Sequence, residues 1–235
     1  VRVFVDYNPW DTGTRREAVS DEEAVAAIVT WLGADGVFLD TLKEGAGKLR
    51  AALPPHTVLA GESRVPLARI EDHAMSWAQW FADSEVPGVL RAKWFERRHV
   101  LHHTRRWHRD HLDELHSAWL NGTGILVWES VFGVWVGWSE RDRALLRAMR
   151  RVHRDYADWL RAEDWTPLAD HAGGQVYASR WVHHGQPLWT VVNRGPDIDG
   201  PWLVTDEAPG FVDLLTGQPL AVTPAGDGEV AVGGR

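Results

Sequence analysis

Three apolar runs in this chain finish on a carboxylate. Val37, Phe38 and Leu39 lead into Asp40, "TVLAGE" ends at Glu62, and "GILVWE" ends at Glu129. The opening run, "VRVFVDYNPWD", brings Asp6, Asn8 and Asp11 to its own end, with Trp10 among them. An uncompensated buried carboxylate is costly, so each of these acids must be paired, solvated at a strand end, or functional. Acids gathered at one edge have an evident use in glycosidic bond cleavage. That reaction passes through an oxocarbenium-like state and needs one ionised carboxylate and one protonated acid. Neighbouring carboxyl groups push each other's pKa values apart, which supplies the two roles. The bland alternative for each acid is an ion pair or a helix cap; Arg64, two residues after Glu62, is the nearest such partner.

Tryptophan points the same way. The chain has 15 Trp among 235 residues, against three Tyr and six Phe. Indole joins a large apolar face to a polar N–H and suits ligands that mix C–H patches with hydroxyls, as sugars do. At least half of these rings are expected to fill the core. Those near expected strand ends, Trp10, Trp77, Trp80, Trp94, Trp128, Trp135 and Trp138, are candidate sugar platforms.

The elements that must position these groups alternate in type. Val1, Val3 and Val5 fall on one face of a first strand. Ser20 and Glu23 form a capping-box signature for a helix carrying Val25, Ile28, Val29 and Leu32, stopped by Gly33. "GVFLD" is a second strand, residues 48–53 a short helix ended by Pro54 and Pro55, and "TVLAGE" a third strand. "AMSWAQWF" and "GVLRAKWF" are two further strand candidates. A long polar helix is expected over residues 97–119, "GILVWE" as another strand, and Ser139 as the cap of a helix with Asp142 three residues on. Alternating apolar strands and helices imply a parallel sheet covered on both faces. Beyond about Trp165, short β runs separated by Gly, Pro and Asp imply a small antiparallel sandwich, with "LLTGQPL" as a hairpin. The expected division is 1–165 for the α/β domain and 166–235 for the β domain. In a parallel α/β barrel the carboxyl ends of all strands share the face that holds the active site.

"DGVFLDTL", "VLAGES", "GILVWESVFGVWVGW" and the later "WTVVNRG" and "GFVDLLTGQPL" together resemble the catalytic barrel and trailing β-sandwich of glycoside hydrolases around the α-amylase and α-galactosidase families. The resemblance implies a (β/α)8 TIM-barrel-like fold, partial here with about six βα units, since the first two strands of a closed barrel have no counterpart in this chain. It implies Asp40 as the nucleophile, if "VRVFVDYN" stands as the third barrel strand, and Glu62 as the general acid/base. In the α-galactosidase-like pattern the acid would instead lie on the next strand, where Glu71, Asp72 and Asp83 are the nearest acids. The His-Asp pair of α-amylases after the seventh strand has no counterpart in that form, and Lys93, His102 and His103 are the nearest polar candidates. Glu129, Asp6, Asn8, Asp11 and the rings of Trp10, Trp94 and Trp128 complete the expected substrate contacts. A carboxyl separation of roughly 5–5.5 Å would imply retention, the expected outcome, and about 6.5–9.5 Å inversion.

Other chemistries fare less well. A net charge of -8 argues against non-specific nucleic-acid binding. No apolar run approaches the roughly 20 residues of a membrane span. With no cysteine, disulfides and thiol chemistry are excluded. His99 and His103 have metal-ligand spacing on a helix, but the Arg-rich run around them reads as a solvated helix face, so neither metal nor cofactor is expected. The expected partner is an oligo- or polysaccharide. Two other readings remain: a non-catalytic carbohydrate-binding protein on a truncated or decayed barrel, with its acids bridged to Arg64, Arg91 or Lys93, and a metal-dependent hydrolase built on the His-rich run.

Overall fold

A computed structural model of the chain describes residues 1–8, 18–41, 47–62, 65–78, 85–103, 110–206 and 210–234, the side chains of 78 and 101–103 excepted. The chain forms two units, Val1–Phe81 with Arg91–Arg106 and Gly124–Val127, and Ala82–Leu90 with Trp107–Thr123 and Trp128–Arg235. The fold is mixed α/β, with one parallel sheet and several antiparallel ones.

In the first unit, strands β1 (Phe4–Tyr7), β2 (Gly36–Leu39), β3 (Val58–Glu62), β4 (Met75–Ala78), β5 (Val100–His103) and β6 (Gly124–Ile125) pair in that order, each parallel to the next. Helix α1 (Asp21–Leu32) joins β1 to β2, and the short α2 (Gly47–Ala52) precedes β3. The capping box at the start of α1 is realised: Ser20 Oγ accepts from Glu23 N, and Glu23 accepts in return from Ser20 N. Gly33 ends the helix at φ 61, a left-handed conformation that glycine adopts without steric cost.

One apolar cluster joins Val25 and Val29 of α1, Leu49 of α2 and Leu53 to Val37, Leu39 and Leu59 of the sheet, with Val5 and Tyr7 packed against it. Strand side chains alternate between faces. Both helices therefore cover the face carrying Val5, Tyr7, Val37, Leu39 and Leu59, and Asp6, Phe38, Ala60 and Glu62 belong to the other. Gly36 is where the sheet packs most closely: a Cβ there would lie 2.4 Å from the Phe4 ring and 2.6 Å from the Val58 carbonyl oxygen. Because Gly36 pairs with Val58, relief requires moving sheet backbone. Gly36→Ala should lower stability by about 1–3 kcal/mol, read from the urea midpoint.

β1 and β6 do not pair among the described residues, which form an open six-stranded sheet and no closed barrel. Several expectations are corrected. The β3–β4 connection holds a 3-10 helix, Leu67–Asp72. "GVLRAKWF" is no strand; residues Arg91–Phe95 form α3. The polar segment expected as one helix over 97–119 contains β5 and then α4 (Leu112–Asn121). Its heavy charge content imitates a solvated helix face, whereas pairing of β5 with β4 decides its first part. "GILVWE" keeps only Gly124–Ile125 as strand.

The second unit carries α4, the hairpin β7 (Ser130–Val131) and β8 (Val134–Trp135), α5 (Glu140–Asp155), α6 (Ala157–Leu160) and the remaining strands. Ser139 caps α5 by accepting from Asp142 N. Asp142, fully buried, accepts from His111 N and from Arg141, tying the start of α4 to α5. β9 (Trp165–Thr166), β10 (Val176–His183) and β11 (Gln186–Asn193) form one antiparallel sheet. β12 (Gly200–Thr205), β15 (Ala221–Gly226) and β16 (Glu229–Gly234) form another, and β13 (Val212–Asp213) pairs with β14 (Gln218–Pro219), the hairpin read in "LLTGQPL". Ala178, Leu203 and Val232 make a core common to both three-stranded sheets.

Candidate functional site

The register of the parallel sheet aligns its polar ends. Tyr7 pairs with Leu39, and Leu39 with Gly61. One residue further on, Asn8, Asp40 and Glu62 stand level on three successive strand ends. Glu62 itself pairs with Trp77 on β4. All four belong to the face that α1 and α2 leave uncovered. One step toward the strand starts on the same face are Asp6 and Phe38, a register pair. The Phe38 ring packs against Trp77 at 5.4 Å, tilted by 38°.

Hydrogen bonds link this row. Asn8 Nδ2 donates to Asp40 Oδ2 at 2.8 Å. Thr41 N donates to Glu62 Oε2, joining the end of β2 to the end of β3. Thr41 reaches that position with φ 62. A β-branched residue in the left-handed region is strained, and such residues cluster where function constrains the backbone. Glu62 is buried at 6 % exposure, and Asp40 is half-buried. Among the described residues Asp40 makes no ion pair.

Asp6 responds to this neighbourhood. Although the residue is exposed, desolvation of its carboxyl raises its pKa above 3.8, and the Asp40 carboxylate raises it further. Asp40→Asn deletes the second cause and leaves the first. The Asp6 pKa should therefore fall toward 3.8 without reaching it, followed by carbon-detected NMR of the carboxyl groups; an unmoved Asp6 would show that the two do not communicate.

The structure thus brings together Asp6, Asn8, Asp40, Glu62 and Trp77. Trp10 and Asp11, expected beside them, lie outside the described residues, as do Arg64 and Trp80. His102 pairs with Trp77 in the strand register and His103 with Ala78; their side chains also lie outside. Lys93 and Trp94 sit on α3, not at a strand end. Lys93 is buried and donates through Nζ to the Arg97 carbonyl, while the exposed Trp94 ring carries the Arg97 guanidinium at 4.7 Å. Glu129 does not end a strand. It is exposed at the base of the β7–β8 hairpin in the second unit, its carbonyl accepting from Val136 N. Trp128, beside it, accepts from Trp138 Nε1 through its carbonyl.

His99 is not a helical metal ligand. It is buried ahead of β5, with Nδ1 against the His73 carbonyl at 3.0 Å and Nε2 against Ser76 Oγ at 2.8 Å. No group of three or more acidic or imidazole side chains placed to hold a metal occurs among the described residues, and none of their helices is long and apolar enough to cross a membrane. Sequence reasoning missed Thr41, whose role lies in its backbone, and Phe38, which reads as core in an apolar run.

Compared with protein-family models, curated proteins and solved structures, the chain matches none.

Proposed function

We propose that this protein is a glycoside hydrolase that cleaves O-glycosidic bonds with two carboxylates and retention of configuration, on an arc of a (β/α)8 barrel. Asp40 is the nucleophile, Glu62 the general acid/base, and Asn8 a positioning residue that holds Asp40 by its Oδ2. On this reading Asp6 would accept from a sugar hydroxyl, and the Trp77 ring, 9 % exposed, would supply an apolar wall. The observation that carries this reading is the level row of Asn8, Asp40, Glu62 and Trp77 across four neighbouring strand ends. Sequential strand order supports the barrel arc. A doubly wound sheet reverses its order at a switch point and puts helices on both faces, whereas here β1 to β6 run in order and α1 and α2 pack on one face. In a barrel the opposite face is interior, and the carboxyl ends of its strands hold the catalytic groups.

The test is turnover of a panel of aryl α- and β-glycosides, with the first-formed anomer identified by NMR. Release of product with the substrate's own anomeric configuration supports the two-step mechanism. Inversion refutes nucleophilic attack by Asp40, and failure to turn over any member of the panel or a mixed oligosaccharide pool refutes the hydrolase reading.

A further inference from the structure

We propose that the second unit carries a binding site for a neutral, mostly hydrocarbon small molecule, separate from the row of acids. The site is a cleft of about 560 Å³ whose walls include Trp119, Tyr156, Trp159, Trp189, Trp202 and Phe211. Ligand pockets run from roughly 300 to 1,000 Å³ and are lined mainly by apolar and aromatic side chains.

The chemistry of the walls selects the ligand. Trp159 Nε1 donates to the Gln186 carbonyl at 2.8 Å, and Trp189 Nε1 donates to Asp170 Oδ2 at 2.9 Å. These indoles have spent their only donors and offer carbon faces. Asp213 is the one charged side chain among the described lining residues. Its two carboxylate oxygens accept from Leu215 N at 2.9 Å and Thr216 Oγ1 at 2.7 Å. Among the described lining residues there is no Lys, Arg or His to compensate an anionic headgroup, and Asp213 is committed to its own turn. A sugar would need partners for each buried hydroxyl, and the described lining offers few side-chain groups for that beyond the Tyr156 hydroxyl, the Gln186 amide and the indole N–H groups of Trp119 and Trp202. A neutral hydrocarbon body loses nothing on entering and gains close contact with the rings.

The cleft is held in shape. Arg151 Nη2, from α5, donates to the Leu214 carbonyl at 2.8 Å and the Leu215 carbonyl at 2.5 Å. This fixes the wall that Phe211 to Leu215 contribute, and a preformed wall lowers the ordering cost of binding. Val212 and Leu215 are more than 40 % exposed among these wall residues.

The probe is N-phenyl-1-naphthylamine, a neutral apolar fluorophore, titrated into the full chain with energy transfer from tryptophan as the signal. Saturable binding near one equivalent is expected, displaced by 1-decanol and not by glucose or maltose. Leu215→Glu places a carboxylate beside the ligand and should weaken binding by about tenfold or more, with an unchanged near-UV circular dichroism spectrum. If that variant does not fold, Val212→Glu takes its place. Non-saturable binding, displacement by the sugars, or equal affinity in a folded charge variant overturns the proposal.

Discussion

Asp40→Asn is expected to lower the turnover of any accepted glycoside by at least about 10³-fold while leaving the fold in place. The substitution keeps shape and volume, and the Asn side-chain oxygen can still accept from Asn8 Nδ2, now at 2.8 Å from Asp40 Oδ2. It also removes a negative charge that raises the Asp6 pKa, so thermal stability should hold or rise. On the proposed mechanism, what disappears is the negative charge that makes the carboxylate oxygen a nucleophile toward the anomeric carbon. Glu62→Gln separates the two roles. A substrate whose leaving group departs without a proton, such as a dinitrophenyl glycoside, bypasses the acid in the first step. It should form the covalent intermediate in Glu62→Gln and not in Asp40→Asn, and mass spectrometry of the quenched enzyme distinguishes the two. An Asp40→Asn protein that hydrolyses at the wild-type rate would remove Asp40 from the mechanism.

The second large effect is a loss of stability in acid that originates at His73. This side chain is buried at 2 % exposure, and burial, followed by the charge of His99 nearby, lowers its pKa from 6.5 to about 4. Asp72 opposes the shift and Arg69 and Arg50 add to it. His99 is also lowered, chiefly by burial. A histidine with a depressed folded pKa stays neutral in the fold while the unfolded chain takes up a proton. Its contribution is therefore fully present above pH 6.5 and is lost as pH falls from 6.5 to about 4. The gap is worth about 3 kcal/mol for His73. Urea midpoints measured across that window should fall steeply in the wild type and less steeply in His73→Gln, whatever the variant's absolute stability. Carboxylates titrate in the same range, so the difference between the two slopes is the readout. Parallel slopes would mean that His73 is protonated as easily in the fold as outside it.

Much of the frame was legible because its causes are local. Ser20, Glu23 and Gly33 delimit α1 through hydrogen bonds among near neighbours, and Ser139 does the same for α5. The apolar runs at β2 and β3, one followed by Asp40 and the other ending on Glu62, mark two strands. The misread segments are those where local preference and long-range pairing disagree. Arg91–Phe95 carries aromatic and small residues that suit a strand, yet forms a helix. Val100–His103 lies in a charged run that suits a helix, yet pairs with β4 and β6.

By itself, then, the sequence determined that Asp40 and Glu62 stand at the ends of apolar strands, where α1 and α5 begin, and that a β-rich segment follows the α/β part. Composition, capping and periodicity act over a few neighbouring residues and are written in the chain. Only tertiary structure decided that Asn8, Asp40, Glu62 and Trp77 stand level, that Thr41 turns its N–H to Glu62, and that Glu129 belongs to a hairpin in the other unit. Strand register and a strained φ depend on hydrogen bonds between residues tens of positions apart. A register slip of one residue would have sent the same acids to the helix-covered face.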